Sequence, residues 1–173
     1  MLKYLKIFFI CLFFFPIKAK ALIEVDITRG NLNPLPIAVS PLSLDKKSKE
    51  EFKKIFKKDD IGSEISKVVE NNLKASGLFN PLDKDAFLQK PNIAHVKPRF
   101  EDWSLIKAQA LITGKVLFKN EKIRVEFRLW DVLAGKEMMA LAFTTVPSNW
   151  RRVGHIITDK VYERLTGEKG YFD

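Results

Sequence analysis

The stretch that most constrains this chain is residues 123–131, where Ile123, Val125, Phe127 and Leu129 alternate with Arg124, Glu126 and Arg128. A period of two puts the four apolar side chains on one face of a β-strand and the charged ones on the other. Such a strand needs neighbours to satisfy its backbone and a layer to cover its apolar face. The flanking sequence supplies the neighbours. Residues 110–118 are apolar, interrupted at Gly114, and residues 137–146 form a third strand-like run. The polar residues 119–122 and the Gly135-containing residues 133–136 read as tight turns between them. Three strands so connected form an antiparallel meander.

Cover for that sheet comes from two amphipathic stretches. Residues 61–76 carry Ile61, Ile65, Val68, Val69 and Leu73 on one helical stripe. Asp60 can cap the start by accepting from orphan amides, and Gly77 can close the end in a left-handed conformation. Pro147 stops the third strand, and a second helix begins near Trp150, with Val153, Ile156, Ile157, Val161 and Leu165 as its buried stripe and Gly167 as its cap. Residues 100–107 read as a short helix, and the stretch 91–99, with two prolines, reads as a loop. Ahead of these lie two more strand candidates: residues 22–28, with Ile23, Val25 and Ile27 alternating against Glu24, Asp26 and Thr28, and residues 37–39 between Pro36 and Pro41. The fold class is therefore α/β, a two-layer or three-layer domain with a mixed sheet of about five strands packed by two main helices. The long helix from Ile61 offers a crossover, so one strand pairing is expected to be parallel.

The beginning of the chain has a different character. Lys3 and Lys6 precede an unbroken apolar run of nine residues, 7–15, and Ala19-Lys20-Ala21 supplies small residues two apart. That is the layout of a secretory signal peptide. A membrane-spanning helix needs roughly 20 apolar residues, so the run is too short for one. Cys11 lies inside the run behind Phe8, Phe9 and Ile10, which argues against a lipid-anchored variant. Cleavage after Ala21 leaves 152 residues and removes Lys3, Lys6, Lys18 and Lys20 with no acid, so the net charge falls from +9 to +5. It also removes the only cysteine. The exported product then has no disulfide and no thiol chemistry, and depends on its core alone. No later run is long enough to span a membrane, and export weakens any reading of the basic charge as nucleic-acid binding.

Chemistry-bearing motifs are sparse. Gly30, Gly62, Gly77 and Gly114 stand apart, so no phosphate-cradling loop is present, and His95 and His155 are too far apart in sequence for a metal-ligand pair. Each histidine reads as structural. The pairs Asp59-Asp60 and Glu101-Asp102 show no sign of the defined cleft that acid–base work requires. No enzyme, cofactor, metal or small-molecule substrate is expected. A hydrolase would need a nucleophile and base that the pattern does not supply.

Three features invite partner readings. The lysine-rich residues 43–60 place Phe52, Ile55 and Phe56 on one helical face; they fit a solvated amphipathic helix or a contact with an anionic surface. Trp130 lies on the strand face opposite Phe127 and Leu129, so a helix or a partner must cover it. Arg151 and Arg152 sit at a helix start, where cations oppose the macrodipole; either they pair with a carboxylate such as Glu101, Asp102 or Asp131, or they contact a partner.

Several stretches taken together resemble the TolB amino-terminal domain family of the periplasmic Tol-Pal system: Ser76-Gly77-Leu78-Phe79, Phe100-Glu101-Asp102-Trp103, Ala110-Leu111-Ile112-Thr113-Gly114, Val125 to Val132, Trp150-Arg151-Arg152, and Tyr162 to Asp173. The order and spacing match, and the resemblance covers essentially all of residues 22–173, with 43–60 the poorest match. It implies a division into a signal peptide at 1–21, a partner-binding segment at 22–33 and an α/β domain at 34–173, with the family's β-propeller expected after Asp173 and absent here. It implies a monomeric periplasmic adaptor supporting outer-membrane integrity and invagination during division. The partner would be the carboxy-terminal domain of TolA, bound through Ile23, Glu24, Val25, Asp26, Ile27, Thr28 and Arg29. Contact with the lipoprotein Pal is expected mainly through the propeller. An alternative from a different class is a scaffold or assembly subunit of an outer-membrane export or lipoprotein machine.

Overall fold

The β-hairpin at the centre of the molecule shows why the period-two pattern dominates. In the computed structural model, which describes residues 23–25, 33–56, 60–96 and 98–173, strands β4 (Ala110–Lys119) and β5 (Lys122–Asp131) pair antiparallel from Ala110↔Asp131 to Lys119↔Lys122. The two linking residues, Asn120 and Glu121, have φ of 51° and 56°. Positive φ at both central positions is the mark of a type I′ hairpin, whose twist matches that of the strands. Asn tolerates this region; Glu121 does so at a cost of about 1 kcal/mol.

Four further strands complete one mixed sheet. Strand β6 (Lys136–Thr145) pairs antiparallel with β5, with a bulge where Leu129 faces Met139 and Trp130 faces Glu137, leaving Met138 as the extra residue. Strand β1 (Leu35–Val39) runs parallel to both β4 and β3 (Phe79–Pro81), and β2 (Ser43–Leu44) continues along β4 beyond β1. The order is β3-β1-β4-β5-β6. The expected parallel pairing is thus present, and helix α2 (Ile61–Ala75), preceded by α1 (Lys46–Phe56), lies in the crossover to β3.

The main core lies on one face of this sheet. Ile65, Val69 and Leu73 of α2, with Val153, Ile157, Val161 and Leu165 of the last helix, α5 (Trp150–Thr166), pack over Ile37, Val39, Ile112, Val116, Ile123, Val125, Phe127 and Leu129. Helices α2 and α5 meet at Gly154, where an added Cβ would lie 2.8 Å from Val68 Cβ. Asp60 caps α2 by accepting from the Ser63 amide at 3.1 Å, and Gly77 and Gly167 follow α2 and α5 with φ of 74° and 76°.

The opposite face is covered only in part. Trp103, from the short helix α4 (Phe100–Leu105), packs with Ala38, Ala108, Leu111 and Val132, and its indole N–H donates to Gln89 Oε1 at 3.1 Å. The architecture is two-layer over most of the sheet and three-layer at this end.

Several expectations need correction. Residues 23–25 join no ladder, although Ile23 and Val25 are half-buried and Glu24 is exposed; the rest of the expected first strand lies outside the described residues, as does the expected signal peptide. Strands β2 and β3 are too short to leave a pattern. The expected loop at 91–99 begins with a one-turn helix, α3 (Pro91–Ala94), with proline at its first position, where no amide donor is required. Within the lysine-rich stretch Phe52 is buried but Ile55 is 50% exposed, so the apolar stripe is narrower than its spacing implied. Ile156 is half-buried rather than core.

Two stability predictions follow from this geometry. Glu121→Gly relieves the left-handed glutamate and should raise the urea-derived unfolding free energy by up to about 1 kcal/mol. Gly154→Leu forces α2 and α5 apart and should cost about 2–3 kcal/mol on the same assay. A neutral Gly154→Leu would mean that the helix contact is not tight.

Candidate functional site

The segment expected to bind a partner is held at the described residues by two backbone hydrogen bonds. The Ile23 N–H donates to Asp131 Oδ2 at 3.2 Å, and the Val25 N–H donates to the Leu165 carbonyl at 2.7 Å. Both acceptors are groups that the fold itself leaves open. Leu165 lies in the last turn of α5, whose final carbonyls have no intrahelical donor. Asp131 ends β5 on its buried face; its other oxygen accepts from the Ala134 amide at 2.7 Å. Two amide donors to one carboxylate satisfy a group that would be costly to bury alone.

Around these bonds Ile23 and Val25 rest against the main core, while Glu24 faces solvent. Glu24 lines a shallow cavity of about 400 Å³ with Met139, Lys160, Glu163, Arg164 and Gly167. The Lys160 ammonium, 2.8 Å from Glu163, hydrogen-bonds that carboxylate and holds its carboxyl below the usual range. Asp26, Ile27, Thr28 and Arg29 lie outside the described residues.

The remaining candidates are satisfied within the chain. Trp130 donates its indole N–H to Thr113 Oγ1 at 2.9 Å and meets Phe100 of α4 edge-on at 5.9 Å. A helix therefore supplies its cover. Arg151 stacks over Trp150 at 4.8 Å. Arg152 does make the expected bidentate pair, but with Asp173, at 2.9 and 3.0 Å, rather than with Glu101, Asp102 or Asp131. The reason is the path of the chain after α5. Asp159 accepts from the Phe172 and Asp173 amides at 2.8 and 3.2 Å, and Tyr171 and Phe172 pack on Tyr162, which returns residue 173 to the first turn of α5. Asp102 is engaged by Arg99, and Asp131 by the amides described above.

The histidines serve as hydrogen-bonding groups. His155 Nδ1 lies 2.8 Å from Asn72 Nδ2, and His95 Nδ1 lies 3.4 Å from Ser43 Oγ. Among the described residues no three His, Cys, Asp or Glu side chains converge as a metal site would require, and no helix is long and apolar enough to cross a membrane.

The sequence offers Asp131 only as an arginine partner and Leu165 only as a core residue; their roles as acceptors for Ile23 and Val25 escaped the sequence reading, yet Asp131 left a signal. It continues the buried parity of Ile123, Val125, Phe127 and Leu129, so a carboxylate on that face requires donors from elsewhere in the chain. Leu165 had no comparable signal, because a helix-end carbonyl has no side-chain signature.

Comparison with known proteins places this geometry. A Tol-Pal system protein TolB of Pelagibacter ubique (strain HTCC1062) is 81% identical over all 173 residues, and the chain spans 38% of that relative's length. A crystal structure of TolB from Acinetobacter baumannii superposes with a TM-score of 0.63 at 20% identity, over 86% of this chain and 32% of that one; at that identity the likeness shows the fold. The family model for the TolB amino-terminal domain matches residues 23–138. From the docked Ile23 to the bulge beside Met138, the matched span takes in five strands of the sheet and the start of the sixth, and the chain belongs to the TolB amino-terminal domain family.

Proposed function

We propose that this domain works in the periplasm as a non-enzymatic adaptor of a Tol-Pal system, binding the carboxy-terminal domain of TolA through residues 22–33. Family membership supports the setting. The observation that carries the site is the attachment of Ile23 and Val25: both are half-buried, yet each described backbone donor reaches an acceptor outside any ladder. A segment held by two such bonds can be exchanged for another acceptor surface at modest cost. Its alternation suits addition to the edge of a partner's sheet, with backbone bonds giving affinity and Ile23, Val25 and Ile27 filling pockets. Envelope maintenance and constriction at division would follow from that link between inner and outer membranes.

Export is the other half of the reading. The leader-like residues 1–21 are proposed to be removed after Ala21. Amino-terminal sequencing of the protein recovered from a periplasmic extract should begin at Leu22; recovery of an uncleaved Met1 form would overturn it.

Calorimetric titration of the TolA carboxy-terminal domain tests the binding site. The protein beginning at Leu22 should bind and a version beginning at Pro34 should not. The double variant Ile23→Asp, Val25→Asp should weaken binding about 100-fold, as expected for losing two buried anchors. Its unfolding free energy should fall by only about 1–2 kcal/mol, because both side chains are half-buried in the resting state. Equal binding by both lengths would move the site onto the folded body.

A further inference from the structure

Strand β6 is the outer strand at one end of the sheet, and among the described residues nothing pairs with its free side. Long edge strands are normally blunted by charge, proline or a covering element. Here residues 138–146 contain no charged residue and no proline, and Ala140, Ala142 and Thr144 are exposed. The register sets Ala140 beside Arg128, Ala142 beside Glu126 and Thr144 beside Arg124, all on the face away from α2 and α5. The small alanines leave a hollow of about 410 Å³ there, into which Lys115, Arg124 and Arg128 also open.

The charges around this hollow are unequal. Glu126 is the one carboxylate lining it, shared by Arg124 at 2.8 Å and Lys115 at 3.3 Å. Arg128 is held in place by the His95 carbonyl at 2.9 Å and by Glu137 at 3.2 Å, at the start of β6. Counting Glu137, three cations face two carboxylates, which leaves a net positive charge beside a row of backbone donors and acceptors that no strand of the sheet pairs.

We propose that β6 accepts an extended segment of another protein as a seventh strand, one carrying acidic side chains at alternate positions. Its backbone pairs with β6, about 4.8 Å away. Its acidic side chains lie over Ala140 and Ala142 and meet Arg124, Arg128 and Lys115. The opposite side chains of the added strand extend the helix-covered face beside Met139 and Phe143, so apolar residues fit there. The proposal rests on residues of β4, β5 and β6 and holds whether or not residues 22–33 bind TolA.

The test uses an end-capped octapeptide of alternating glutamate and valine, with the lysine–valine and all-glutamate octapeptides as comparisons. Binding is read by calorimetry, and amide exchange at residues 140–144 by NMR. The glutamate–valine peptide should bind, slow exchange at those amides and lose affinity with added salt. Arg124→Gln and Ala142→Glu, both at exposed positions, should each weaken it about tenfold. Equal binding of the lysine–valine peptide, equal binding of the all-glutamate peptide, or binding without slowed exchange at β6 would overturn the proposal. So would slowed exchange in the protein alone with sedimentation as a dimer, which would assign the edge to a second copy. Failure of the acidic peptide to bind at millimolar concentration would overturn it as well.

Discussion

The ladder between β4 and β5 is the constraint on which the other elements depend. Its register puts Ile112, Gly114 and Val116 beside Leu129, Phe127 and Val125, making one continuous apolar surface. Gly114 is required there, since an added Cβ would overlap the Glu126 carbonyl oxygen. A shift of one residue would turn that surface toward solvent and bury Arg124, Glu126 and Arg128. Helices α2 and α5, β1 on the other side of β4, and the docking of Ile23 and Val25 all take their positions from this surface.

What could be read in advance tracks how local each cause is. The alternation in β5, the Asp60 cap and the glycines after α2 and α5 depend on residues within a few positions of each other, and the structure matches them. Strands β2 and β3 exist because β4 and β1 offer open edges, a cause distant in sequence, and so they left no pattern. The same distinction explains the arginine. A cation at a helix start does need an acid, but that Asp173 supplies it depends on the chain folding back along α5. The site was legible only as a pattern of Ile23, Val25 and Ile27; the acceptors that hold the first two residues are a buried acid and a helix-end carbonyl more than a hundred positions away.

The two ends of the sheet are treated differently. At the β3 edge Pro81 has no amide to donate, which discourages further pairing. At the β6 edge there is neither proline nor charge beyond Glu137. Natural sheets that leave one edge unguarded while closing the other keep their pairing capacity on a defined side. Here that side also carries Lys115, Arg124 and Arg128 against Glu126 and Glu137.

Helix α5 receives backbone donors from two segments far apart in the sequence. The Val25 amide bonds to Leu165, and the Phe172 amide bonds to Asp159. The two attachment points are six residues apart, about 9 Å along the axis. The two segments thus share one helix as their anchor, while Asp131 also ties Ile23 to the end of β5. A single change in the last two turns of α5 would therefore loosen residues 23–25 and 171–173 together.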